Sequence, residues 1–193
     1  YDRWSTKGRS FTSATLGTVV NPERSESAFS PKVAAVYRLT DTVSLRSSLG
    51  KAFRAPSNFE LYNTTVSGNR QLLADPSVKP ETALSWDVGV EKALADQGFL
   101  KAAYYDTRMK DMIYRKSQPH TGGLLGITTD AILTNAAEAR IKGIELSADI
   151  PVMRWLRVSA SYTYADPKIT KDESDANLQG KTLRYVPKNM ASL

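Results

Sequence analysis

The 193-residue chain contains no cysteine and a single histidine. The first absence excludes a disulfide scaffold, thiol catalysis and any Cys-ligated zinc or iron–sulfur centre. It also lacks a stretch near the ~18 consecutive apolar residues that a membrane-spanning helix requires. Its 26 Lys and Arg outnumber 20 Asp and Glu, yet no run of five or six cations occurs. The net charge of +6 is spread along the chain, which argues against a nucleic-acid interface. With 41% hydrophobic residues, the composition is too apolar for wholesale disorder. Tyr1 is not preceded by an initiator Met, no signal-peptide pattern opens the chain, and Leu193 closes it inside an expected strand. The expectation is an excerpt of a longer protein.

What is present is alternation. Leu84, Trp86, Val88 and Val90 take even positions, with Ser85, Asp87 and Gly89 between them. Ile144, Leu146, Ala148 and Ile150 alternate with Glu145, Ser147 and Asp149. Leu156, Val158, Ala160, Tyr162 and Tyr164 alternate with Arg157, Ser159, Ser161 and Thr163. Val43, Leu45 and Leu49 alternate with Ser44, Arg46, Ser48 and Gly50. A period of two places one apolar and one polar face on each strand, so the segment is all-β. About eight strands are expected, near residues 1–6, 31–40, 43–55, 81–94, 98–115, 131–150, 154–166 and 181–193. Between Phe99 and Tyr114 the phase conflicts: Asp106, Arg108 and Lys110 are even, whereas Lys101 is odd. A bulge would reconcile them.

Tight links at residues 39–42, 95–98 and 151–153 recur at intervals of 55 and 56 residues. Between them lie long polar connections, about 7–30, 55–80, 117–129 and 167–180. Short turns at one end, long loops at the other and alternating strands of 9–14 residues fit an antiparallel transmembrane β-barrel. Trp155, Tyr162 and Tyr164 suit an interfacial girdle. Periodicity alone equally permits a soluble antiparallel sandwich or solenoid with one wet face.

Catalytic and metal readings are weak. His120 lies in the Pro- and Gly-rich loop Gln118-Pro119-His120-Thr121-Gly122-Gly123, without a strained nucleophile turn nearby, and reads as a solvent-exposed loop residue rather than a catalyst. Gly122, Gly123 and Gly126 do not follow a dinucleotide fingerprint. The acidic run Asp172-Glu173-Ser174-Asp175 lacks calcium-loop spacing and reads as a solvated tip. No enzyme activity, cofactor or resident metal is expected.

Three ordered phrases rise above this background. The first is Gly50-Lys51-Ala52-Phe53-Arg54-Ala55-Pro56-Ser57, followed by Phe59-Glu60-Leu61-Tyr62. The second is Asp75-Pro76-Ser77-Val78-Lys79-Pro80-Glu81-Thr82, running into Trp86-Asp87-Val88-Gly89-Val90-Glu91. The third extends from Asn135 through Arg140 and Gly143 to Leu146. Locally, Pro56 and Pro80 mark a strand exit and a strand entry, and Gly143 marks a bulge or close backbone approach. Together the phrases resemble the TonB-dependent outer-membrane receptor family. Tyr1-Asp2-Arg3-Trp4 and Ser30-Pro31-Lys32-Val33 resemble the strands that precede them.

The resemblance implies that residues 1–193 are a partial barrel domain, roughly a third of a barrel of about 22 strands. The plug domain, the TonB-engaging segment and the remaining strands would lie elsewhere. It implies a Gram-negative outer membrane, contact with its lipid, and TonB as a partner through that absent N-terminal region. Cargo in the family is a ferric siderophore, haem, cobalamin or another scarce nutrient, with siderophores the commonest. Phe59, Tyr62, Arg70, Tyr114, Arg115 and His120 are the expected ligand-binding residues on extracellular loops, with Lys116 beside them; Arg and aromatic groups suit an anionic aryl chelate. A complete eight-stranded structural or adhesive barrel and a soluble β-rich binding module are the rival expectations.

Overall fold

The computed structural model describes residues 2–11, 18–121, 126–173 and 175–193. Tyr1, Gly122, Gly123 and Ser174, named above, lie outside the described residues. Two strands, β1 (Asp2–Phe11) and β2 (Thr18–Ala28), form a separate hairpin sheet. The main sheet runs in the order β11-β10-β9-β8-β7-β4-β3, all antiparallel neighbours. Its members are β3 (Lys32–Arg38), β4 (Val43–Arg54), β7 (Glu81–Ala93), β8 (Phe99–Pro119), β9 (Thr129–Met153), β10 (Leu156–Asp172) and β11 (Asn189–Ser192). Between β4 and β7 lie a short helix α1 (Asn58–Tyr62) and strands β5 (Thr65–Ser67) and β6 (Arg70–Leu73).

Register places the alternating residues as expected. Leu45, Val90, Ala102, Leu146 and Tyr162 are successive cross-strand partners on one face. On the other, Arg46, Gly89, Ala103, Glu145 and Thr163 follow one another. The apolar face is not covered: Val88 and Ile144 are each 46% exposed, and Leu84, Val90, Leu146 and Tyr164 are also open. The few buried apolar side chains include Leu61 and Val78, which pack within the connection between β4 and β7. A soluble sheet of this size would hide that face in a core. The polar face carries its own ion pairs, Arg46 Nε to Glu91 Oε2 at 2.8 Å and Arg157 to Asp149.

Turn chemistry closes the hairpins. Asp96 and Gln97 both have positive φ, 53° and 62°, the mirror-image turn that matches hairpin twist. Gly98 is required beside it, because a Cβ there would lie 2.6 Å from Pro151 Cδ. At the preceding link, Thr40 Oγ1 accepts from the backbone N–H of Val43 at 3.0 Å.

Three expectations need correction. Residues 18–28, read as loop, form β2, whose continuation into β3 is interrupted at Pro31, a residue without a ladder donor. The expected final strand, 181–193, shrinks to Asn189–Ser192 and an isolated bridge between Lys168 and Thr182. The third concerns β8. Lys101 faces the polar side opposite Glu91, and Asp106 and Arg108 share the outer face with Leu100 and Tyr104. The strand does not flip between them. Its outer face changes from apolar to charged along its length, and the bulge comes later, between Met109 and Met112, where Asp111 has φ 56°. β8, β9 and β10 run 21, 25 and 17 residues, well beyond the ~9–11 needed to cross a hydrocarbon layer.

Candidate ligand-binding loops and the polar junction beneath them

The three sequence phrases converge at one place, where β4 leaves the sheet and β7 enters it. Arg54 and Glu81 are cross-strand partners. Arg54 Nε donates to Glu81 Oε2 at 2.7 Å, and its two terminal nitrogens donate to the two oxygens of Glu60 at 3.0 Å each. Glu81 Oε1 in turn accepts from the Ile113 N–H at 2.7 Å, just past the bulge in β8. Glu60 also closes a capping box on α1: its carboxylate accepts from the Ser57 N–H at 2.7 Å while Ser57 Oγ accepts from the Glu60 N–H at 3.3 Å. Pro56 stops the ladder, and Ser57 starts the helix one residue later.

Asn135 supplies the third phrase. Its Oδ1 accepts from the Lys79 N–H at 2.6 Å, and its Nδ2 donates to the carbonyls of Lys79 at 2.9 Å and Asp111 at 2.6 Å. One amide therefore joins the entry to β7, the bulge of β8 and the first part of β9. From outside, Arg24 of β2 donates to the Val78 carbonyl at 2.6 Å and the Pro76 carbonyl at 3.0 Å. The Arg24 guanidinium also lies over Trp4 at 5.6 Å. The connection of residues 55–80 is thus tied to β2 through Arg24, to β4 through Arg54 and to β9 through Asn135, which its Pro- and Ser-rich composition did not reveal.

Burial raises the Glu60 pKa, but the hydrogen bonds from Arg54 and Ser57 outweigh it and hold the carboxyl below the usual glutamate value. A depressed native pKa contributes stability that is fully present above the unfolded value of about 4.3 and is lost as pH falls through the native value. Hydrogen exchange at the Asp75 amide, which donates to the Glu60 carbonyl at 3.1 Å, should be unchanged from pH 7 to 5. After correction for intrinsic rates, its protection should drop below about pH 4. Arg54→Ala should produce the same loss at pH 7. Protection that stays flat with pH in the native protein would count against the junction.

The six expected ligand residues fall into two groups. Phe59, 41% exposed, and the half-buried Tyr62 sit on α1. Arg70, Tyr114, Arg115 and His120 flank the first part of β9: Arg70 pairs with Thr129, Tyr114 with Thr134 and Arg115 with Leu133. The parallel pairing of β6 with β9 brings the two loops together, reinforced by Asn69 Nδ2 donating to Thr128 Oγ1 at 2.8 Å and by the Thr128 N–H donating to the Asn69 carbonyl at 2.9 Å. Arg70 and Arg115 are exposed. His120 is not the solvent-facing loop residue its surroundings suggested. Its side chain is 8% exposed, Nδ1 lies 2.8 Å from Asp130 Oδ1, and Nε2 is buried without a partner among the described residues. Among the described residues there is no cluster of three His, Asp or Glu able to hold a metal ion. In the acidic run, Glu173 accepts from Lys171 at 2.6 Å, and Asp175 caps the turn at residues 176–178.

An antiparallel sheet with one uncovered apolar face, tight turns at one end and cross-linked loops at the other defines a sector of a membrane-type β-barrel. The family profile described as TonB dependent receptor-like, beta-barrel matches residues 1–193, and the chain belongs to that family of outer-membrane receptors. It is 25% identical over 170 residues to the iron-regulated outer membrane virulence protein of Vibrio cholerae serotype O1, strain O395, covering 85% of this chain and 26% of that protein. The chain thus spans about a quarter of that relative's length. Among solved structures, the copper transporter OprC aligns with a TM-score of 0.61 and 27% identity, over 91% of this chain and 27% of that one. The siderophore receptor PirA from Pseudomonas aeruginosa aligns at 0.63 and 19% identity, over 82% and 30%, which shows the shared fold.

Proposed function

We propose that residues 1–193 form part of the barrel of an active outer-membrane receptor for a ferric siderophore, energised through TonB. The plug domain, the TonB-engaging segment and the other strands would be supplied by chain outside this stretch, and the apolar face would meet membrane lipid. The single observation that supports the cargo reading is the docking of the 55–80 connection onto β9, with exposed Arg70 beside Thr129 and exposed Arg115 beside Leu133 on either side of that strand. Guanidinium groups bind anionic oxygen ligands through paired donors, and Phe59, Tyr62 and Tyr114 offer rings for an aryl chelate. The Vibrio cholerae relative is named as iron-regulated, which fits a receptor whose use is tied to iron supply.

Uptake of a radio-iron-loaded catecholate siderophore by iron-starved cells tests this. The double variant Arg70→Ala/Arg115→Ala should raise the half-saturating concentration about a hundredfold or more at unchanged surface level, each charged contact being worth roughly 1.5–3 kcal/mol. Removal of TonB should abolish uptake altogether. Unchanged half-saturation would remove these residues from the site. The likeness to OprC favours a second reading, a copper receptor, which copper-dependent rather than iron-dependent uptake would select.

A further inference from the structure

The change of character along the outer face of the sheet is confined to adjacent strands and is continuous across them. Directly across the sheet, Lys51, Leu84, Arg108, Arg140 and Lys168 are successive register partners. One step nearer the short turns come Leu49, Trp86, Asp106, Lys142 and Asp166. One step further the row is Ser47, Val88, Tyr104, Ile144 and Tyr164. On a single face, therefore, an aromatic and aliphatic band gives way through one mixed row, with Asp106, Lys142 and Asp166, to a cationic row.

This row is built. Asp106 is 1% exposed and lies beneath it. Arg140 Nε donates to both Asp106 oxygens, at 3.1 and 2.9 Å, and one terminal nitrogen also binds Oδ2. The other terminal nitrogen, Nη1, makes no hydrogen bond among the described residues. Arg108 Nε stands 3.8 Å from the same carboxylate, and Lys168 Nζ is 3.4 Å from Asp166. Arg108, Arg140, Lys142 and Lys168 give four cations against the two carboxylates of Asp106 and Asp166, so the patch keeps a positive excess. The side chains of Arg108, Arg140 and Lys168 are 60%, 41% and 53% exposed. At ~4.8 Å between neighbouring strands, the three span about 10 Å.

We propose that Arg108, Arg140 and Lys168, with Lys142 beside them, bind the phosphate groups of a phosphorylated glycolipid in the outer leaflet. The inference rests on the reading that the apolar face meets lipid. Given that reading, cations on the same face just beyond the aromatic band stand at headgroup level. Phosphate is the anionic group there, and a guanidinium held in place by a buried carboxylate presents its remaining donors at little ordering cost. A soluble anion would gain the same charge contacts but not the neighbouring apolar wall of Tyr104, Ile144 and Tyr164.

The test uses the whole receptor, purified in mild detergent and exchanged into mixed micelles of zwitterionic phospholipid and lipid A, with retained lipids counted by native mass spectrometry. Wild type should retain phosphorylated lipid A and should hold its dephosphorylated form at least tenfold less. R108Q/R140Q/K168Q should lose lipid A at least tenfold while retaining the zwitterionic phospholipid as before. If that variant does not fold, judged by its heat-modifiable band on a gel, the comparison of the two lipid A forms on wild type decides alone. Equal retention by wild type and folded variant, or of the two lipid A forms, would overturn the proposal. So would full displacement by an equimolar soluble glucosamine bisphosphate, which would mark a site for free anions. Loss of the zwitterionic phospholipid from wild type would instead strike at the lipid contact of the apolar face.

Discussion

Val88→Arg and Leu146→Arg should each sharply reduce the amount of folded receptor in the outer membrane, at a cost of about 2–4 kcal/mol apiece if the site lies near midplane. Val88 sits between Ser47 and Tyr104, and Leu146 between Ala102 and Tyr162, in the middle of the uncovered apolar face. A guanidinium there has no carboxylate within its row. Asp106, the nearest carboxylate on that face of β8, is already engaged by Arg140. The matched control is Ser161→Arg on the opposite face, next to Ser147, where a charge remains in a polar setting and assembly should be close to normal. The heat-modifiable fraction in isolated outer membranes measures all three. Normal assembly of both apolar-face variants would mean that this face does not meet lipid.

Gly143→Ala should be nearly as damaging for a steric reason. Gly143 is the cross-strand neighbour of both Tyr105 and Ala165, with no break in register. A Cβ on it would lie 2.1 Å from the Tyr164 carbonyl oxygen and 2.7 Å from the Tyr105 hydroxyl. The Tyr105 ring thus covers the bare backbone of its partner strand, an aromatic filling the space a side chain would take. Overpacking costs roughly 1–3 kcal/mol where neighbours can yield, and more where they cannot; a ladder carbonyl cannot. Tyr105→Ala should rescue Gly143→Ala only in part, because removing the ring relieves one clash and leaves the other. Denaturant unfolding of the four corners of this cycle provides the measurement. Full rescue would assign the whole effect to the ring. No loss in the single glycine variant would remove the close approach altogether.

Gly143 also shows how far residues alone can be read. Its place in an alternating strand led to a bulge or a close approach, and the backbone proximity decides for the close approach. The alternation of Leu84 to Val90 and of Ile144 to Ile150 determined strand type and facing, because a period of two is a local property of the chain. The turns at residues 39–42 and 95–98 were legible for the same reason, as were the breaks at Pro56 and Pro80. The ordered phrases around Arg54, Glu81 and Asn135 were enough to indicate the receptor family.

Their purpose was not legible. Arg54, Glu60, Glu81 and Asn135 form one junction through contacts between residues 6 to 56 positions apart, and spacing along a chain does not encode which distant groups meet. His120 looked exposed until its pairing with Asp130 buried it. β2 escaped notice because Thr18 to Ala28 is mostly polar, and a mostly polar strand carries no hydrophobic period. The charges of β8 looked like a change of phase for a related reason. Alternation reports which side a residue faces and says nothing of its height in the sheet. Whether Asp106 and Arg108 belong to the polar interior or to the charged rim of the outer wall was decided only by their register with Trp86, Lys142 and Arg140.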